Sequence, residues 1–112
     1  MTGGAGYIGS HACVEFAAAG YEVSLLDNYS NSSPVVLERL QQIVGRPVPL
    51  YEVDIRDTDG MRRVLRELQP DAVIHFAGLK AVGESVAQPQ RYYENNVTGT
   101  LSLLRAMAEE GP

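Results

Sequence analysis

The stretch Thr2-Gly3-Gly4-Ala5-Gly6-Tyr7-Ile8-Gly9-Ser10-His11 reads T-G-x-x-G-x-x-G and opens onto an alanine-rich apolar run over residues 13–19. Nothing else in the chain narrows the choice of fold as far. Glycines three apart, between a strand end and a helix start, do separate physical jobs. Gly3 permits a sharp turn, Gly6 lets backbone N–H groups approach a bound anion, and Gly9 lets the helix lie close on a sheet. An anion there meets the unpaired N–H donors and the positive dipole end of the helix. Ile8 is expected to turn inward against the strands.

Alternation of element types extends this start. Residues 7–19 have helical composition, and Gly20 stands where a left-handed cap belongs. Residues 21–27 follow as a strand ending in Asp27, then a polar loop. Ser33-Pro34 supplies an N-cap and a first-turn proline for a helix running to Gly45, with Val36, Leu37, Leu40 and Val44 or Ile43 on one face. Residues 48–54 read as a third strand, and Pro49, having no N–H for a ladder, places it at a sheet edge. Asp57 or Thr58 caps a third helix carrying Met61, Val64, Leu65 and Leu68. Residues 72–78 are apolar nearly throughout, as strands buried on both faces are. A loop over 79–88 leads to Pro89 and a final helix whose apolar face is expected to be Tyr93, Val97, Leu101, Leu104 and Met107 or Ala108.

This order predicts an α/β fold, a doubly wound parallel sheet with helices on both faces and strand order 3-2-1-4-5. The sheet is expected to be incomplete. Only Met1 and Thr2 precede the glycine loop, so the first, central strand is truncated and its neighbours should face a gap; strands after the fourth are absent. Residues 1–112 thus read as one partial dinucleotide-binding domain of Rossmann type, an internal piece of a longer protein.

Composition sets the remaining bounds. At 112 residues, 45% hydrophobic and 21% charged, the chain has enough apolar material for one core. Its net charge of −5 and the lack of Lys/Arg clusters argue against nucleic acid and membrane surfaces as partners. A single cysteine, Cys13, on an apolar helical stretch reads as buried packing in a reducing, cytoplasmic setting. No metal-ligating pattern stands out.

Asp27, at the end of the second strand, can accept hydrogen bonds from the adenosine ribose hydroxyls and would repel the extra phosphate of NADP. Asp54-Ile55, at the next strand end, could flank an adenine, the carboxylate as acceptor and Ile55 as an apolar wall. The glycine loop, Asp27-Asn28, Asp54-Ile55-Arg56, the run from Val73 to Ser85 (V-I-H-F-A-G-L-K-A-V-G-E-S) and the run from Tyr92 to Thr100 (Y-Y-E-N-N-V-T-G-T) together resemble the UDP-glucose 4-epimerases. That family lies within the extended short-chain dehydrogenase/reductase group. The resemblance covers nearly the whole chain, and the H-F-A-G-L-K-A-V-G-E-S run is its most specific part.

What it implies can be placed residue by residue. Gly3, Gly6, Gly9 and the backbones of Tyr7 and Ile8 would meet the pyrophosphate of NAD. Asp27, Asn28, Tyr29, Ser30, Asn31 and Ser32 would hold the adenosine ribose and nearby phosphate. Asp54 and Ile55 would meet the adenine. Phe76, Ala77, Gly78, Leu79 and Lys80 would line the cofactor, with Lys80 reaching ribose hydroxyls, and Asn95 would contact it from the last helix.

The family's proton-transfer pair is Tyr-x-x-x-Lys. Four residues beyond the six tyrosines stand His11, Leu25, Ser33, Ile55, Asn96 and Val97, so no catalytic residue is assigned here. The expected whole is an isomerase of galactose metabolism that interconverts UDP-glucose and UDP-galactose as a homodimer, this chain alone being inactive. Alternatives are another NAD-dependent nucleotide-sugar epimerase or dehydratase, or a non-catalytic NAD-binding module. Other tempting residues read as structural: His75 as a hydrogen-bonded histidine in a buried strand, His11 as a local contact, Tyr92 and Tyr93 as a helix face meeting the sheet, and Glu109-Glu110 as a solvated terminus.

Overall fold

The computed structural model describes all residues, 1–112, and they group into two compact units. One comprises Met1–Glu52 with Ile74–Phe76, the other Val53–Val73 with Ala77–Pro112.

The first unit holds the sheet. Strand β1, Leu25–Asp27, pairs in parallel with β2, Leu50–Glu52, in the register Leu25 to Leu50. On the other side of β1, Thr2 forms parallel bridges both to Leu26 and to His75. The spatial order is therefore β2, β1, residues 1–3, then Ile74–Phe76. In chain order that is third, second, first, fourth, as a doubly wound sheet requires. Backbone bonds close it: Leu26 N–H to Met1 O (2.9 Å), Gly3 N–H to Leu26 O (2.8 Å), Thr2 N–H to Ile74 O and Phe76 N–H to Thr2 O (both 3.0 Å). The expected gap beside the truncated strand is thus bridged by the short segment itself. The Oγ1 of buried Thr2 lies 2.6 Å from His75 Nδ1, adding a side-chain link across the same pair.

The strands are shorter than residues 21–27, 48–54 and 72–78 would give. A ladder extends only as far as its shorter member, and residues 1–3 reach one bridge on each side. Pro47 and Pro49 also remove donors from the edge strand, although the Pro49 carbonyl accepts from Leu25 N–H at 2.8 Å. For the same reason residues 73–78 are half-buried and not the fully enclosed strand expected.

Helices α1, Tyr7–Ala18, and α2, Val35–Val44, pack with this sheet around Cys13, Leu25, Leu40 and Val48. Gly20 (φ +94°) and Gly45 (φ +80°) turn the chain after the two helices in the left-handed region that glycine enters without strain. Ser33 Oγ accepts from Val35 N–H at 3.4 Å, so the capping serine lies one residue before the N-cap, Pro34. Leu37, Leu40 and Val44 pack at the core and Val36 is half-buried, whereas Ile43 is exposed.

The second unit is helical. In α3, Thr58–Leu68, the Asp57 carboxylate caps the first turn by accepting from Gly60 N–H at 2.9 Å. Met61, Val64 and Leu65 are buried, each contributing about 1.5–3 kcal/mol through apolar burial. The remainder contains α4, Val82–Ala87, in the segment expected to be loop; α5, Pro89–Tyr92; a π-helical turn, Tyr93–Thr98; and α6, Gly99–Glu110.

Helix α6 packs on α3, and its buried residues are Gly99, Ser102, Leu103 and Ala106. The expected apolar face is the outer one: Tyr93, Val97, Leu101 and Leu104 are exposed. Small residues win because the approach is close; a Cβ on Gly99 would stand 2.6 Å from Ile55 Cδ1. Glu109 and Glu110 are not merely solvated, since they pair with Arg62 and Arg66 of α3. No helix is long and apolar enough to cross a membrane.

Candidate functional site

In the first unit Gly3 and Gly9 do the backbone work that the spacing predicts. Gly3 takes φ +65° and its carbonyl accepts from Gly6 N–H at 3.1 Å, which makes the turn. A Cβ on Gly9 would stand 2.3 Å from Gly3 O and 2.9 Å from Gly4 Cα, so helix and loop touch backbone to backbone. Gly4, which the motif spacing leaves unassigned, is as constrained: a Cβ there would lie 2.6 Å from Leu25 Cδ2.

Gly6 differs. Its φ is an ordinary −74°, and a Cβ would meet only Gly3 O, at 3.3 Å. What glycine provides at this position is open space beside the start of α1. That helix start has no side-chain cap, which leaves its N-terminal dipole end to an outside acceptor.

Tyr7 and Ile8 are exposed there, 81% and 54%. The expectation that Ile8 turns inward fails because the buried side of α1 is set by Gly9 and Cys13, one turn apart. Ile8, one residue before Gly9, is rotated about 100° from that side. His11 makes the local contact expected, its Nδ1 2.7 Å from Tyr7 O and its ring 4.5 Å from that of Tyr7.

Asp27 ties this loop to the end of β1. Its Oδ2 accepts from Ala5 N–H at 3.0 Å and its Oδ1 from Tyr29 N–H at 2.8 Å, with Ser32 Oγ at 3.5 Å. Asn28 repeats the device, Oδ1 accepting from Ser30 N–H at 3.0 Å. These two tight turns carry Tyr29 into the left-handed region, φ +57°. Burial, then Asp27 and Glu52, push the Tyr29 phenol above its ordinary pKa. Phe76 closes the described set in this unit, its N–H held by Thr2 O. Ser30 and Asn31 lie exposed on the same loop.

In the second unit, Asp54 is engaged by Arg56: Oδ1 accepts from Arg56 N–H (2.8 Å) and Nε (2.9 Å), and Oδ2 from Nη2 (2.8 Å). That pairing raises the guanidinium pKa above its usual value. The Ile55 side chain is buried against Gly99 and not left as a free apolar wall.

The loop over 77–81 is held by a residue that the sequence reading passed over. Asn96 Oδ1 accepts from Leu79 N–H and Asn96 Nδ2 donates to Leu79 O, both at 2.8 Å. Asn95 Nδ2 donates to that same Oδ1 at 3.1 Å, so the two asparagines work together. Thr100 Oγ1 donates to Asn96 O at 2.6 Å. The π-helical turn is where this happens, and such turns re-aim side chains out of regular helical phase. Two adjacent asparagines in an otherwise helical run were the available signal, because asparagine is a poor helix former that bonds backbone readily.

Tyr92, expected to meet the sheet, instead accepts Ala81 N–H on its hydroxyl at 3.1 Å, and Tyr93 is exposed. Lys80 is exposed; its Cε would lie 3.7 Å from a Cβ on Gly78, so its stem folds back over that glycine.

A parallel sheet in this order, with a glycine loop leading from its central strand into a helix, defines a doubly wound, Rossmann-type dinucleotide-binding fold. A family model described as GDP-mannose 4,6 dehydratase matches residues 1–112, and the chain belongs to that family. Within it the chain is similar to UDP-glucose 4-epimerases: 55% identical over 111 residues to the protein of Bacillus subtilis and 54% to that of Neisseria gonorrhoeae, 99% of this chain and 33% of theirs in each case. The crystal structure of the Bifidobacterium longum UDP-glucose 4-epimerase in complex with NAD+ and UDP superposes with a TM-score of 0.94 at 56% identity, over 97% of this chain and 32% of that one. The chain thus spans about a third of the length of these relatives.

Proposed function

We propose that this chain is the NAD-binding portion of a cytoplasmic UDP-glucose 4-epimerase that interconverts UDP-glucose and UDP-galactose. The observation that carries the reading is Asp27. One carboxylate bridges the glycine loop at Ala5 and the turn at Tyr29, at the end of a strand beside the central one. Oδ2, which accepts from Ala5 N–H, keeps a second lone pair for a ribose hydroxyl; Oδ1 already accepts from Tyr29 N–H and, at 3.5 Å, from Ser32 Oγ, a long contact that a second ribose hydroxyl would displace. The same negative charge repels the 2′-phosphate of NADP.

Bound NAD supplies the hydride acceptor and donor for transient oxidation at the sugar C4. The chain's residues do the holding: Gly3, Gly6, Gly9, Tyr7 and Ile8 at the pyrophosphate, Asp27 and the Asn28–Ser32 turn at the adenosine ribose. Phe76, Ala77, Gly78, Leu79, Lys80 and Asn95 take the remaining cofactor contacts. Asp54 and the Ile55 backbone take the adenine. The proton-transfer residues belong to the part of such a protein that this chain does not span. The exposed stripe Tyr93, Val97, Leu101 and Leu104 supports assembly as a homodimer.

The test is titration of NAD and NADP against the whole protein and its Asp27→Ala variant. NAD should bind tighter than NADP to the wild type, and the variant should lose about 1–3 kcal/mol toward NAD. Equal affinity for both cofactors in the wild type would remove Asp27 from the ribose. The family description supports one second reading, a nucleotide-sugar 4,6-dehydratase. Release of a 4-keto-6-deoxy sugar in place of the C4 epimer would select it.

A further inference from the structure

We infer that Tyr92 is a positioning residue for Lys80. The inference rests on the reading that Lys80 contacts the cofactor, and it concerns how that lysine is aimed. Three peptide groups around it are held from outside the loop. Asn96 takes both the N–H and the C=O of Leu79, which fixes the peptide groups on either side of Leu79. Tyr92 Oη accepts from Ala81 N–H, which fixes the peptide group following Lys80. Lys80 therefore lies between two anchored peptide planes. Its φ and ψ are the torsions that join them, and with both planes held the direction of its Cα–Cβ bond is set.

The side chain itself is long, mobile and exposed. Without a fixed root it would sample a wide volume, and ordering it on a ligand would cost correspondingly more. The arrangement divides the work. The asparagine anchor is double and its partner, Leu79, is buried; the tyrosine anchor is single and its partner, Ala81, is exposed. Water satisfies the Ala81 N–H when the hydroxyl is removed, so what is lost is geometry and not solvation. Tyr92 also stands next to Arg91, whose guanidinium pairs with Glu84 of α4. Two consecutive residues of α5 thus bind the segment that follows Lys80.

The experiment uses the whole protein and its Tyr92→Phe, Lys80→Met and doubly substituted variants, with NAD affinity read by direct titration. Tyr92→Phe should raise the Kd for NAD roughly 3–10-fold, the range expected of one modest hydrogen bond. On the Lys80→Met background it should raise it no further, because there is no amine left to aim. Backbone amide exchange in the cofactor-free protein supplies a second measurement: Ala81 should exchange faster in Tyr92→Phe while Leu79 stays protected. If Lys80→Met weakens NAD binding and Tyr92→Phe does not, or if the two effects multiply, the inference is overturned and the cofactor reading stands. If Lys80→Met binds NAD like the wild type, the assignment of Lys80 to the cofactor fails and takes the inference with it.

Discussion

Two loops of this chain carry most of the proposed cofactor contacts, and they are fixed in opposite ways. The loop before α1 is fixed by what its residues lack. Gly4 and Gly9 leave no room for a Cβ, so backbone lies on backbone and on Leu25, and a single carboxylate, Asp27, pins the turn. The loop over 77–81 is fixed by what other residues add: the Asn96 amide on Leu79 and the Tyr92 hydroxyl on Ala81. In the first, shape is set by exclusion and tolerates almost no change of side chain. In the second, it is set by a few hydrogen bonds, each removable at modest cost.

The largest effect should therefore come from the first loop. Gly9→Ala places a methyl 2.3 Å from the Gly3 carbonyl oxygen, a backbone atom that cannot rotate away. Either α1 lifts from the loop or the Gly3 turn opens. The expected loss of stability is about 3 kcal/mol, the upper part of the usual range for overpacking, with NAD binding abolished. Thermal unfolding of the whole protein together with NAD titration checks both. A Gly9→Ala protein of wild-type stability would break the comparison at its stronger end.

The second loop should yield less. Asn96→Ala removes both partners of the peptide groups of Leu79, a buried residue, at a cost of about 1–3 kcal/mol. The loss should be local: amide exchange should quicken at Leu79 and Lys80 while Gly3, Ala5 and Gly6 keep their protection. Equal loosening of both loops would mean that they are not independently fixed.

That asymmetry also explains what the sequence disclosed. Glycine at fixed spacing is a statement about backbone, and backbone rules are local, so the turn at Gly3 and the close approach at Gly9 are legible directly. Alternating elements, the Asp57 cap and the order of the parallel segments followed from short-range patterns of the same kind. What stayed hidden depends on which residues meet across the chain. Tyr93, Val97, Leu101 and Leu104 have helical spacing and read as a core face, yet Gly99, Ser102, Leu103 and Ala106 have it too and are the ones buried. Apolarity favoured the first set; close approach at Ile55 selected the second. The Asn96 clamp was hidden likewise, because a side chain bonding backbone seventeen residues away leaves no periodic mark. Strand length depends on the partner as well as on composition: β1 and residues 74–76 flank the short segment 1–3, and β2 pairs only with the short β1.

The smallest effect belongs to the clasp between α3 and α6, and pH is its probe. Arg66 donates to both carboxylate oxygens of Glu110, Nε at 3.1 Å, and Arg62 pairs with Glu109. The hydrogen bond from Arg66 holds the Glu110 carboxyl below its ordinary value of 4.5. A carboxyl lowered in the folded state contributes stability that is fully present above its unfolded pKa and is lost as pH falls through the folded one. Stability from this pair is therefore complete above about pH 4.5 and declines below it. Arg66 and Glu109 are open to water and Arg62 is partly so, so the contribution is small and screened by salt. The clasp nonetheless joins α3 to the helix that continues from the turn carrying Asn96. Acidification below pH 4.5 should thus loosen the amide of Leu79 slightly and leave the glycine loop before α1 unchanged, and Glu110→Gln should remove that pH dependence. Hydrogen exchange across this pH range, compared at the two loops after correction for the intrinsic rate, reads the difference. A pH response confined to the glycine loop would reverse the assignment of which loop depends on distant side chains.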